Sequence, residues 1–240
     1  MTMQLKARST VLIIPFVVLG MTGCFSLSRN PPADRHYVLG GGLPSDTTSP
    51  DFAALAIGVR RVQLASYLAT PLIVVRHGAH RITFSEFHRW GENLDGGIAR
   101  AVAANLAARA SVQRVDVAPW PVRERYDFLI QIDVSRFEGA VPEESTATEG
   151  EVHVLATWEI MRQQDGATLA GGTTDFRERG WRVDDYAGLL TLLDRGLNVL
   201  ADDLVSCLGS LGSAGTLGSG DDEAPVPVRA PVLHCGTRPQ

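Results

Sequence analysis

The chain has 240 residues, with 22 Lys+Arg against 27 Asp+Glu, a formal charge of −5. An acidic chain is a poor binder of nucleic acid, whose phosphates demand the opposite sign. After Lys6 there is no lysine at all, so the chain has no P-loop lysine to place on nucleotide phosphates, and any ATP-driven work must be done by another subunit.

The first residues read as an export signal. Lys6 and Arg8 form a short positive region, and Val11 to Leu19 is an apolar run too short to span a bilayer. Met21-Thr22-Gly23-Cys24 follows. A small residue before a Cys just past the apolar run resembles the bacterial lipobox, in which the Cys is lipidated and becomes the new N-terminus. Met21 stands where the common pattern has Leu, Val or Ile. Residues 1–23 are therefore expected to be a lipoprotein signal peptide and Cys24 the lipid attachment site. Several acyl chains on one Cys anchor stably, since each buried CH₂ contributes about 0.8 kcal/mol. Phe25 follows Cys24 with no Asp beside it; by the sorting logic of Gram-negative lipoproteins this points to the outer membrane, facing the periplasm. Loss of residues 1–23 removes Lys6 and Arg8, taking the charge from −5 to −7.

Residues 24–51 read as a lipidated tether containing a short strand at His36-Tyr37-Val38-Leu39. Pro31-Pro32 and Gly40-Gly41-Gly42 interrupt any packed element. The triple glycine is not followed by a helix, so it does not make a phosphate cradle.

The folded domain is expected over 52–208. Leu55, Ile57 and Val59 alternate with Ala56, Gly58 and Arg60, a strand period. Leu72-Ile73-Val74-Val75 and Arg81-Ile82-Thr83-Phe84 flank Arg76-His77-Gly78-Ala79-His80 and read as a hairpin. His77 and His80 lie in its turn, where no third ligand is fixed by spacing, so no metal site is assigned. Phe84-Ser85-Glu86-Phe87-His88-Arg89-Trp90 then reads as the junction from strand to helix, with three aromatics in seven positions. Glu86 and Glu92, or Ser85 and His88, supply no acid, base and nucleophile at a defining spacing.

A helix is expected over 95–110, with Asn93 as its N-cap and Leu94, Ile98, Val102 and Leu106 on one stripe. Val115-Asp116-Val117 is a short strand. Tyr126, Phe128, Ile130, Ile132 and Val134 mark a long strand with one buried face, and 139–150 reads as a mobile acidic loop. Val152 to Ile160 alternates again, and Asp165-Gly166 is a hairpin dipeptide returning the chain towards Phe176. A second helix over 185–208 carries Tyr186, Leu189, Leu190, Leu193, Leu197, Leu200 and Leu204 on one side. The expected fold is α+β, a mainly antiparallel sheet with two amphipathic helices on one face. Residues 209–240, rich in Gly and Pro, read as a flexible tail. Cys207 and Cys235 are 235 − 207 = 28 residues apart, a candidate disulfide that an oxidising compartment would preserve but that spacing alone does not decide.

Taken together, the lipobox, the Tyr-containing strand, Ala65-Ser66-Tyr67-Leu68 with Pro71, and Glu86-Phe87-His88-Arg89-Trp90 before a helix with Asn105-Leu106 resemble the ABC-type transport auxiliary lipoproteins, the PqiC family. The likeness runs from about His36 to Leu208. Where the family often has Ala-Glu-Pro-Leu, this chain has Gly91-Glu92-Asn93-Leu94. The resemblance implies a non-catalytic, cofactor-free subunit of an MCE-type (mammalian cell entry) lipid transport system. Its partners would be an MCE-domain protein and the associated permease and ATPase, and such a role is compatible with a homo-oligomer. The alternative is a stand-alone periplasmic lipid-binding carrier or envelope chaperone. The aromatic segment has two readings: Phe84, Phe87 and Trp90 pack the hairpin on the helix, or Phe87, Arg89 and Trp90 face a partner.

Cys24→Ser should leave the chain soluble or unprocessed on membrane fractionation. Stable membrane attachment after that change would sink the lipoprotein reading.

Overall fold

The computed structural model describes residues 33–40, 54–121, 123–143, 146–213 and 232–235. The signal segment, Cys24 and most of the tether lie outside these residues. In chain order the elements are β1 (Arg35–Tyr37), β2 (Ala56–Val59), β3 (Gln63–Leu64), a 3₁₀ turn (Ser66–Leu68), β4 (Leu72–His77), β5 (Arg81–Trp90), α1 (Leu94–Arg109), β6 (Arg114–Val117), β7 (Phe128–Val141), β8 (Glu149–Arg162), β9 (Thr168–Arg182), α2 (Tyr186–Ser213) and β10 (Leu233–Cys235).

The α+β class holds, and the expectation of a mainly antiparallel sheet holds in part: the longest ladders, β7–β8 and β8–β9, are antiparallel, but the sheet is mixed. The ten-stranded sheet has the main path β1-β5-β4-β7-β8-β9-β10, with β2 and β3 attached beside β7 and β6 paired to β2. Only the turn-linked neighbours β4–β5, β7–β8 and β8–β9 are antiparallel. The pairs β1–β5, β2–β6, β2–β7, β3–β7, β4–β7 and β10–β9 are parallel. The reason is connectivity. A tight turn can only reverse the chain, whereas strands joined by a long excursion such as α1 or α2 are free to align in the same sense. Hairpin signals are local in sequence, and the parallel pairings are not.

The core lies between the sheet and the helices. On α1, Leu94, Ile98, Val102 and Leu106 are all buried. On α2 the buried stripe is Leu189, Leu193, Leu197, Leu200, Leu204, Leu208 and Leu211, spaced by three or four as one helical face requires. Opposite them stand Val152, Val154, Ala156, Trp158 and Ile160 of β8 and Phe176 of β9, also buried. Gly196 lets the α2 backbone approach the strands: a Cβ there would lie 2.6 Å from Val154 Cγ2 and 2.9 Å from Phe176 Cδ1.

The segment read as an acidic loop over 139–150 is strand at both its ends, over 139–141 and 149–150. Gly139 lies near the end of β7 and Gly150 is the second residue of β8. A Cβ on Gly139 would sit 2.5 Å from Trp181 Cζ3, and one on Gly150 3.0 Å from Trp181 Cε3. These glycines are cut away to seat an indole that is itself buried. Trp181 Nε1 donates to the Asp185 carbonyl at 2.9 Å, fixing the ring at the entry to α2.

The tail also departs from expectation. Helix α2 continues to Ser213, and Leu233–Cys235 is a strand parallel to Ala170–Gly172 of β9. A disulfide joins Cys207 of α2 to Cys235, with Cα atoms 5.7 Å apart. Three residues of pairing are too few to hold a strand alone, and the covalent link supplies what the ladder lacks. Residues 214–231 and 236–240 lie outside the description.

Cys235→Ser should lower stability by about 2–4 kcal/mol in a denaturant titration. Hydrogen exchange should rise at the β9 amides facing β10 while the central strands keep their protection.

Candidate functional site

The aromatic segment does not lead from strand to helix; it lies inside β5. Leu72 pairs with Arg89 and Val74 with Phe84, so two steps of β4 (74 − 72) span five of β5 (89 − 84). The surplus residues form a wide bulge between Phe84 and Arg89, closed by the His88 amide donating to Ser85 Oγ at 3.1 Å. Bulges re-aim side chains, and this one sends neighbouring aromatics to different surroundings. Trp90 returns to the ladder and enters the core: it is 6% exposed, its ring centroid is 6.1 Å from that of Phe137, and its amide donates to the Pro71 carbonyl. Its ring is thereby withdrawn from the chain's surface, which removes Trp90 from the three candidate contact residues. Phe87 is half-buried. Phe84 is 46% exposed.

The edge strand β1 is locked onto the same segment. Arg35, His36 and Tyr37 pair in register with His88, Arg89 and Trp90. Arg89 Nε donates to Asp34 Oδ2 at 2.9 Å, and the Gly91 amide donates to the Tyr37 carbonyl. His88 is stacked against Tyr186 at the start of α2, with centroids 3.8 Å apart, and its Nδ1 lies 2.9 Å from the Tyr37 hydroxyl. Burial, reinforced by the Arg35 charge and opposed by Asp184, holds the His88 imidazole below its ordinary pKa. One His thus ties the N-terminal strand to the long helix. Sequence spacing gave no sign of this, because 37, 88 and 186 are far apart along the chain.

Beside this corner opens a groove of about 550 Å³, lined by Arg61 to Leu64, Leu68 to Pro71 and Glu92 to Asp95. Its walls come from three segments: the β3 stretch, the 3₁₀ turn with Leu68 and Pro71, and the start of α1, where the chain departs from the family pattern. Val62, Leu68 and Leu94 are buried in its floor. Arg61 Nε pairs with Asp95 Oδ2 at 3.0 Å, and Glu92 pairs with Arg100, so the charges on the rim are matched. This size falls within the range of small-molecule clefts.

Behind the groove, Tyr67 joins a buried charge cluster. Arg76 Nε donates to Glu138 Oε1 at 2.5 Å, and Arg136 reaches the same oxygen at 3.2 Å. The Arg76 guanidinium lies 5.5 Å from the Tyr67 ring centre, and the Tyr67 hydroxyl donates to the Ser135 carbonyl at 3.0 Å. Burial first, and then the neighbouring Glu138 carboxylate, push the Tyr67 phenol up to about 12. The cluster binds the 3₁₀ turn to β4 and β7 and has no matched acid and base facing a cavity.

The other singled-out residues are dispersed. His77 Nε2 lies 2.9 Å from Thr83 Oγ1 across the hairpin, and His80 is exposed in its turn. Glu86 is exposed and Glu92 is engaged with Arg100. Among the described residues, no three His, Cys, Asp or Glu side chains gather at metal-binding distance, and no helix is long and apolar enough to cross a membrane.

A family model described as "ABC-type transport auxiliary lipoprotein component" matches residues 37–205. No match was found among curated protein sequences. Among solved structures, a protein from Xanthomonas campestris is 16% identical, with 76% of this chain and 98% of that one covered at a TM-score of 0.64. A second, described as an uncharacterized protein, is also 16% identical, covering 73% and 99% at a TM-score of 0.53. At this identity both likenesses are of fold alone.

Trp90→Ala should cost about 3–5 kcal/mol, the range for emptying a buried aromatic site. Urea denaturation measures it, and a loss well under that range would contradict the core placement.

Proposed function

Because the chain belongs to the family of ABC-type transport auxiliary lipoprotein components, we propose that it is a non-catalytic, lipid-anchored periplasmic subunit of an ABC/MCE-type intermembrane lipid transport system, attached to the outer membrane and supporting envelope integrity. The observation that carries this reading is the match over 37–205, which spans every element from the end of β1 through most of α2. The sequence agrees with it at both ends of the chemistry. Cys24 in its lipobox supplies the anchor, and the absence of lysine beyond Lys6 assigns nucleotide hydrolysis to another subunit. The ion pairs around Arg76 and the stack on His88 are best explained as devices that stiffen a docking domain.

In this reading the groove between the 3₁₀ turn and α1 is where a partner protein rests. Its apolar floor and charge-matched rim resemble the centre and border of a protein interface more than a catalytic cleft. The groove's volume also supports a second reading, in which the domain carries a lipid acyl chain without a transporter.

Affinity purification of the tagged chain from gently solubilised membranes should recover an MCE-domain protein together with permease and ATPase subunits. Recovery of the lipoprotein alone under conditions that preserve such complexes would count against the proposal. Stoichiometric phospholipid on the chain in native mass spectrometry would favour the carrier.

A further inference from the structure

Exposed large apolar side chains are few among the described residues, and they gather at the two ends of the sheet. Val38, 60% exposed, and Phe84 lie by β1 and β5; Val232 and Leu233 lie at β10. The two ends differ in one covalent respect. The segment bearing Cys24 joins the domain at Asp34, and 34 − 24 leaves ten residue steps. Fully extended, ten residues reach about 33–36 Å. The sheet from β1 to β10 has six steps along its main path, roughly 29 Å at about 4.8 Å per step. To lay the β10 end on a membrane, the tether would have to be stretched nearly to its limit along the whole sheet. To lay the β1–β5 end there, it need not be stretched at all.

The chemistry of that end suits a lipid surface. Asp34 to Tyr37 and Arg81 to Trp90 together hold Arg35, Arg81 and Arg89 against Asp34 and Glu86, 3 − 2 = +1, on a chain whose overall charge is −5. Arg35 and Arg81 are exposed. Phe84 is exposed on the same strand three residues after Arg81, whose Nη2 donates to the Glu143 carbonyl at 3.4 Å, and Phe87 is half-buried in the bulge. The outer side of β5 before His88 pairs with no strand among the described residues. Aromatic and arginine side chains of this kind settle at the headgroup level of a bilayer, with the ring in the apolar boundary and the charge among phosphates.

We propose that the β1–β5 edge is the membrane-facing surface of this domain, with Phe84 and Val38 seated at the lipid interface and Arg35 and Arg81 among anionic headgroups. The proposal rests on the lipid-anchored reading and goes beyond it by fixing which side of the domain lies down. The β1 lock has a direct role here. Because β1 is held to β5 by three residues of ladder, the Asp34–Arg89 pair and the Tyr37–His88 contact, the anchor's pull enters the described domain at this edge.

The test uses the full lipidated chain in vesicles of phosphatidylethanolamine and phosphatidylglycerol. Phe84→Cys is labelled with an environment-sensitive fluorophore, and Thr157→Cys on the exposed surface of β8 serves as the reference. The expected result is flotation of both, with the label at 84 blue-shifted and protected from aqueous acrylamide and the label at 157 not. Val38→Cys gives a second position should the first variant fold poorly, and it should behave like 84. Phosphatidylcholine vesicles should reduce the protection at both positions. Flotation with equal quenching at 84, 38 and 157 overturns the proposal while leaving the anchor intact. Failure to float overturns the anchor reading, and the proposal with it.

Discussion

The hydrogen-bond ladder of β7 is the constraint on which the rest of this domain depends. On one side β7 is paired along almost its whole length with β8; on the other it takes β2, then β3, then β4 in succession. A bulge between Val134 and Arg136 shifts its register midway. The first half therefore presents Phe128, Ile130, Ile132 and Val134 to the core, and the second half presents Phe137 and Gly139. If this strand slipped by one residue, its apolar row would turn to solvent and three separate parallel partners would lose register together. The 3₁₀ turn, the β4–β5 hairpin and the groove between them all take their position from that one strand.

How much of this could be read beforehand follows from the range of the forces involved. The stripes Leu94-Ile98-Val102-Leu106 and Leu189-Leu193-Leu197 are periodic in sequence, so both helices were legible to within a few residues at their starts. The hairpins at Gly78 and Gly166 were legible for the same reason, since a turn is a local event. What escaped was every contact made by residues far apart. Parallel pairing of β2 with β6, or of β10 with β9, leaves no short-range signature. Gly139 and Gly150 looked like loop residues because glycine has two uses, and only the position of Trp181 says that close approach, not chain reversal, is the one at work.

The aromatic segment shows the same division. Its composition marked it as unusual, and alternation suggested a strand that ended near Phe84. The bulge was invisible, because nothing in Ser85-Glu86-Phe87-His88 distinguishes an interrupted strand from a terminated one. Its consequence is a separation of duties. Trp90 is held inside by Phe137 and the Pro71 carbonyl, His88 holds β1 against α2, and Phe84 stays outside. A run that reads as one cluster in sequence is three independent contacts in space.

The buried cluster behind the groove has an implication for how this sequence can drift. Glu138 receives both Arg76 and Arg136 on one oxygen, while its other oxygen is buried and has no hydrogen-bond partner among the described residues. Such an arrangement is not a strong source of stability, since well-packed apolar residues of similar volume often serve as well as a buried ion pair. Removing a single member is another matter: without Glu138 the two arginines lose the anion between them, and without Arg76 the fully buried carboxylate keeps only the partly exposed Arg136. Positions 76, 136 and 138 therefore form one unit of inheritance: homologous chains should keep all of them or exchange them together, and intermediates with one partner missing should be rare.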